Sequence, residues 1–135
     1  MKGRCLCGRV QIDATEAPLV VRSCWCRDCQ YLGAGSATVN AVFHTDSVSL
    51  DGDLADYQSV AESGAKMTRS FCPSCGTAVS SRSETRPHLV VLRVGVFEDR
   101  AVLGPSLTIW TDSAPEWACW NTGLPSTPRQ PPPMN

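Results

Sequence analysis

Eight cysteines in 135 residues carry the chemistry of this chain, and their spacing sorts them. Cys5-Leu6-Cys7-Gly8 is a C-x-C pair and Cys72-Pro73-Ser74-Cys75-Gly76 a C-x-x-C pair, each followed at once by glycine. A metal-binding knuckle turns its backbone so that N–H groups face the sulfurs. The turn needs a positive φ just past the second cysteine, which glycine adopts without steric cost. The shared ending predicts a shared task. Cys5, Cys7, Cys72 and Cys75 together supply four thiolates, the full tetrahedral shell of a structural zinc. The run Cys24-Trp25-Cys26-Arg27-Asp28-Cys29 differs, with three cysteines close together and no glycine after the last. Three protein ligands plus one exchangeable position is the usual form of catalytic zinc. Four thiolates around Zn²⁺ leave two negative charges and repel another anion. Three leave one negative charge and a free position, where an incoming thiol could lose its proton and be held as thiolate. The expectation is two zinc ions per chain, one enclosed and one open at Cys24, Cys26 and Cys29.

Disulfides fit these cysteines poorly, because C-x-C and C-x-x-C crosslinks close almost no loop. A redox role for Cys26 and Cys29 would call for a βαβ setting, which the sequence does not show. Cys119 stands alone. It could complete the shell of the triad and close it, or serve as an idle thiol that behaves as a small apolar residue. His44 and His88 are the two histidines, and neither lies at a metal-ligand spacing from the cysteines. Arg27 and Asp28 lie inside the triad loop and face either substrate or solvent. Trp110, Trp117 and Trp120 cluster late in the chain, where they could wall a cleft or anchor a small core.

The elements that must position these groups read as strands. Short apolar runs, several rich in β-branched residues, recur about every ten residues and suit an all-β architecture. The expected strands are 9–14, 19–23, 36–43, 48–51, 55–59, 66–71, 77–82 and 89–95, with Asp51-Gly52-Asp53 a tight turn between two of them. Only Cys26 to Leu32 and a turn near Phe97 to Arg100 look helical. From Asn121 the composition shifts to proline, ending in Pro131-Pro132-Pro133. The expectation is one domain over 1–120 and a disordered, proline-rich tail over 121–135.

Twelve basic and thirteen acidic residues give a net charge of −1, so electrostatics offers no case for a nucleic-acid partner. No segment is apolar enough for a signal peptide or a membrane span, which predicts a cytosolic protein without a membrane partner. Cytosolic thiols are kept reduced, which again favours metal over disulfide.

In order and spacing, four pieces resemble the glutathione-dependent formaldehyde-activating enzyme family, which shares its domain with the centromere protein V group. They are Cys5 to Gly8, the Cys24/Cys26/Cys29 triad, Arg69 to Thr77, and Ile109 to Trp117. The resemblance implies a mainly β, sandwich-like zinc domain of the Mss4-like (β-tent) group with little helix. It also implies carbon–sulfur lyase chemistry, in which glutathione adds to formaldehyde to give S-hydroxymethylglutathione at the open zinc. Three positions depart from the family pattern: Trp25 and Thr108 stand where histidine is common, and Gln30 where a basic residue is. The metal ligands match, while the substrate stays open to a related small thiol. The alternative is a non-catalytic zinc module that binds protein or nucleic acid.

Overall fold

Residues 38–44 alternate Thr38, Asn40, Val42 and His44 on one side with Val39, Ala41 and Phe43 on the other. Most are buried, as befits a strand covered on both faces. In the computed structural model, which describes residues 1–61 and 63–134, this run is the central strand β4 (Thr38–His44). Before it come β1 (Lys2–Arg4), β2 (Gln11–Ala14), β3 (Val20–Cys24) and the helix α1 (Arg27–Leu32). After it come β5 (Val48–Asp51), β6 (Ala55–Val60), β7 (Lys66–Phe71), β8 (Ala78–Ser83), β9 (Leu89–Arg93) and β10 (Leu107–Ile109). The fold is mainly β with little helix, as the sequence predicts.

Seven strands form one sheet in the order β10-β3-β4-β9-β8-β7-β6, and β1-β2-β5 form a second. Both sheets contribute to one core. Ile12 and Ala14 of β2 pack with Val21, Ala41, Phe43, Val90 and Leu92 of the large sheet, and the rings of Phe43 and Phe97 stand 5.8 Å apart. This shared apolar layer makes the arrangement sandwich-like. Gly52, at φ +108°, turns the chain from the small sheet into the large one. The expected tight turn is therefore a corner between sheets, because β5 pairs with β2 and β6 with β7. A Cβ on Gly52 would collide with the carbonyl of Arg9.

Two strands escape sequence reading, β1 and β10. Each has only three residues, too few to display alternation. β10 pairs in parallel with β3, placing Ile109 beside Cys24. The segment expected to be a disordered tail is instead tied along β10. Thr108 N–H donates to Pro125, Thr127 N–H to Thr108, Thr111 N–H to Thr127 and Asp112 N–H to Pro128. The physical reason is the open edge of β10, whose backbone groups need partners that a proline-bearing extended segment can still supply. No helix among the described residues is long and apolar enough to cross a membrane.

Candidate metal centres and the arginine-bearing sheet face

The first pair of knuckles meets where β1 leads into β2 and β7 leads into β8. Cys5 N–H donates to Val10 and Gly8 N–H to Cys5, while Cys72 N–H donates to Thr77 and Gly76 N–H to Cys72. The two turns thus close in the same way. Gly8 and Gly76 sit at φ +81° and +75°, the conformation the Cys-Gly endings predict. Thr77 links the knuckles: its hydroxyl accepts from Leu6 N–H at 3.1 Å and lies 3.1 Å from the Cys75 sulfur. That contact brings the Cys75 thiol down to about 5. The sulfurs of Cys5, Cys7, Cys72 and Cys75 all lie within 4.8 Å of one another. Tetrahedral zinc–sulfur bonds of about 2.3 Å require sulfurs about 3.8 Å apart. The Cys5–Cys7 and Cys7–Cys72 separations are 3.6 and 3.8 Å. The donor set and its spacing fit zinc.

The second cluster forms where β3 ends. Cys24 is its last residue, Cys26 caps α1 by accepting from Cys29 N–H at 3.4 Å, and Cys29 lies in the first turn of the helix. Their three sulfurs also lie within 4.8 Å of one another, and no other His, Cys, Asp or Glu joins this group among the described residues. Cys119 is exposed and belongs to neither cluster. His44 lies at the far end of β4, six residues from the triad end and so about 20 Å away. His88 is exposed and outside both clusters as well.

The three thiols share charge unequally. Hydrogen bonds from the Cys24 and Cys26 thiols hold Cys29 well below its ordinary value, helped by the Thr38 hydroxyl and the charge of Arg93. Hydrogen bonds to Cys26 and Cys29, together with burial, push Cys24 far up.

The loop around the triad is clamped by a residue that sequence reading treated only as a departure. Buried Gln30 donates its side-chain amide to the Trp25 carbonyl at 2.7 Å and to the Ser113 carbonyl at 2.9 Å. It accepts from Arg27 at 2.7 Å, and Arg27 also lies over the Tyr31 ring. Trp25 N–H reaches the Ile109 carbonyl at 3.0 Å. Trp25 is buried, with Trp117 and Trp120 packed around it at centroid distances of 6.4 and 6.2 Å. Trp110 takes a left-handed backbone at φ +62° and packs against Cys24, Cys29 and Ile109. The tryptophans thus divide: Trp117 and Trp120 shield Trp25, whereas Trp110 walls the triad.

Sequence reading missed a row of arginines on the sheet. Cys24 and Thr38 are directly paired across β3 and β4, and two residues along, Arg22 pairs with Asn40, which pairs with Arg93 on β9. Directly paired residues share a face, so these side chains lie on the triad side of the sheet. Arg93 is buried and donates to Asn40 and Ser81, while Asn40 donates to the Thr38 hydroxyl at 2.9 Å. A polar chain therefore runs from Ser81 through Arg93, Asn40 and Thr38 to Cys29. Arg69, paired with Ser81 on the same face, holds Asp28 of α1 at 3.0 Å. Beside this chain lies a cavity of about 520 Å³ whose wall includes Leu32, Thr38, Arg93, Arg100 and Gly104.

The model of the glutathione-dependent formaldehyde-activating enzyme family matches residues 1–113. The chain belongs to that family. The matched span holds both cysteine clusters and the arginine row; Trp117, Cys119, Trp120 and the segment bound along β10 lie beyond it. A crystal structure of a Rhodobacter sphaeroides protein is similar at a TM-score of 0.59 and 24% identity, covering 73% of this chain and 89% of that one. This likeness concerns the fold. No curated protein matches. The family's name attaches glutathione-dependent formaldehyde activation to its members as a group, and the two cysteine clusters are compatible with zinc.

Proposed function

We propose that this chain is a zinc-dependent carbon–sulfur lyase acting on a small thiol adduct, with glutathione and formaldehyde as the substrate pair the family suggests. In this reading Cys5, Cys7, Cys72 and Cys75 hold a structural zinc, and Cys24, Cys26 and Cys29 hold a catalytic one. One observation carries it. The triad gathers three sulfurs and no fourth ligand among the described residues, whereas the other cluster gathers four.

Zinc held by the triad would supply a position at which a thiol is acidified and kept as thiolate. The reaction needs little else. A sulfur–carbon bond forms as the carbonyl π bond of the aldehyde opens, and the proton released by the thiol ends on the new hydroxyl. The chain's own residues orient the partners. Thr38 and the Cys29 N–H hold the sulfurs in place, Gln30 fixes the loop that carries them, and Trp110 walls the approach. Addition of thiols to formaldehyde is already easy, so proximity and acidification suffice.

The test is exchange spectroscopy on glutathione and ¹³C-formaldehyde at equilibrium with zinc-loaded protein. The expected result is exchange faster than the spontaneous rate, with the acceleration lost in Cys26→Ser. A rate equal to that of the protein-free mixture overturns the lyase reading and favours a non-catalytic zinc module.

A further inference from the structure

The seven-stranded sheet ends differently on its two sides. At one end β10 is covered by the segment after Trp120. At the other end β6 pairs with β7 alone, through an unbroken register from Ala55/Phe71 to Val60/Lys66. Among the described residues, Ala55 to Val60 make no backbone hydrogen bond beyond those to β7. Alternate N–H and C=O groups of β6 therefore face outward unpaired. Edge strands are normally blunted by lysine, proline, a bulge or a covering loop. β6 holds no lysine, proline or bulge, and its one charged residue is Asp56. It presents large apolar groups instead, with Tyr57 63% and Val60 67% exposed.

The residues of β6 say what can lie beside it. A second copy running antiparallel joins the two sheets about a twofold axis perpendicular to them. Such an axis keeps each face on its own side, so opposed residues share the same parity. Three registers then place the axis near the middle of the strand. Centred on Asp56, the pairing sets two carboxylates against each other. Centred on Gln58, it sets Asp56 against Val60 and leaves Tyr57 facing Ser59. Centred on Tyr57, every pair is matched: ring against ring, Asp56 against Gln58, Ala55 against Ser59 and Leu54 against Val60. The carboxylate of Asp56 accepts what the Gln58 amide donates, and symmetry repeats that pair. Aromatic and donor–acceptor pairs of this kind stabilise neighbouring strands.

We infer that β6 is the joining edge of a symmetric dimer, in which two copies pair antiparallel about Tyr57 and their large sheets become one. Tyr57 lies opposite Arg69, on the triad side of the sheet. The axis does not exchange the faces, so both triads lie on the same side of the joined sheet. A single strand pair makes a small interface, and the dimer dissociates on dilution, with half-association at about 10 μM. The inference stands whatever chemistry the triad performs.

The test is sedimentation equilibrium of the zinc-loaded full chain, from about 1 to 500 μM. The average mass is expected to rise with concentration from 14.5 kDa toward twice that value. Gln58→Lys and Gln58→Asp then probe the register. Gln58 is exposed and its neighbour on β7 is the neutral Thr68, so neither change disturbs the β6–β7 ladder. Across the axis each new charge meets Asp56 of the second copy. Gln58→Lys is expected to tighten the dimer about threefold or more, and Gln58→Asp to weaken it by a similar factor. A mass of 14.5 kDa at every concentration overturns the dimer and leaves the edge to a strand of another protein. Any other response of an observed dimer to the two charges overturns the pairing about Tyr57.

Discussion

Thr38 stands directly opposite Cys24 in the ladder of β3 and β4, and its hydroxyl reaches the last sulfur of the triad, that of Cys29. The same hydroxyl accepts from Asn40, which accepts in turn from Arg93. One small side chain therefore couples the sulfur cluster to a buried polar chain. Thr38→Val keeps the shape and removes the coupling. Groups that hold metal ligands in orientation are worth about 10–100-fold in affinity. The variant is expected to hold the triad metal more weakly by that factor in competition with a zinc chelator, while the Cys5/Cys7/Cys72/Cys75 site keeps its affinity. Equal weakening of both sites would mean that Thr38 acts on the fold as a whole.

Serine substitutions separate the two clusters. At Cys75 the change removes one of the four sulfurs that could hold a metal between β1–β2 and β7–β8. A structural zinc contributes about 10 kcal/mol or more to folding, comparable to the whole stability of a domain this size. Cys75→Ser is therefore expected to abolish the cooperative thermal transition. At Cys26 the change removes a sulfur but leaves a good helix cap, since serine accepts the Cys29 N–H as well as cysteine does. Cys26→Ser is expected to melt within about 5 °C of the parent and to lose the response to thiols. Thermal melts of both proteins decide the matter, and equal collapse would show the triad to be structural too.

Much of this site was legible because metal knuckles are local. Gly8 and Gly76 sit within one residue of the sulfurs they serve, so sequence alone separates the four-cysteine set from the three. The strands β5 and β7 were bounded to the residue by their flanking turn chemistry. The arginine row was not legible, because Arg22, Arg69 and Arg93 are far apart in the chain and become neighbours only through strand register. The tail misled for a related reason. Proline-rich composition marks a segment that cannot form its own core, but says nothing of a partner edge such as β10 waiting elsewhere.

Acid should weaken the join between β1 and β2. Asp13 lies opposite Lys2 in that ladder, and the Lys2 ammonium, which donates to it, holds its carboxyl below the ordinary 3.8, with the N-terminal amine helping. A depressed carboxyl stabilises the fold above its unfolded value, and that contribution disappears as pH falls through the folded value. Asp13→Asn is expected to melt slightly below the parent at pH 6, with the gap closing in acid below 3.8. A gap unchanged across that range would remove the ion pair as its cause.

The segment after Trp120 contributes through its backbone more than its side chains. Four backbone hydrogen bonds tie it to β10 and the turn beyond, whereas the Trp110 indole reaches Gln130 at an exposed position and Arg129 meets Asp112 at a loose 3.9 Å. Each buried or half-buried backbone bond is worth about 1 kcal/mol net, and an exposed ion pair close to nothing. A chain ending at Trp120 is thus expected to lose about 2–4 kcal/mol, or about 10 °C in Tm. Gln130→Ala and Arg129→Ala should each stay within about 0.5 kcal/mol of the parent. β10 also carries Ile109, which packs on Cys24 and Cys29, so the truncated chain should release the triad metal faster to a chelator as well as melt earlier. A truncated protein that melts with the parent would mean that β10 needs no covering strand. A lower Tm with unchanged metal release would confine the segment's role to stability.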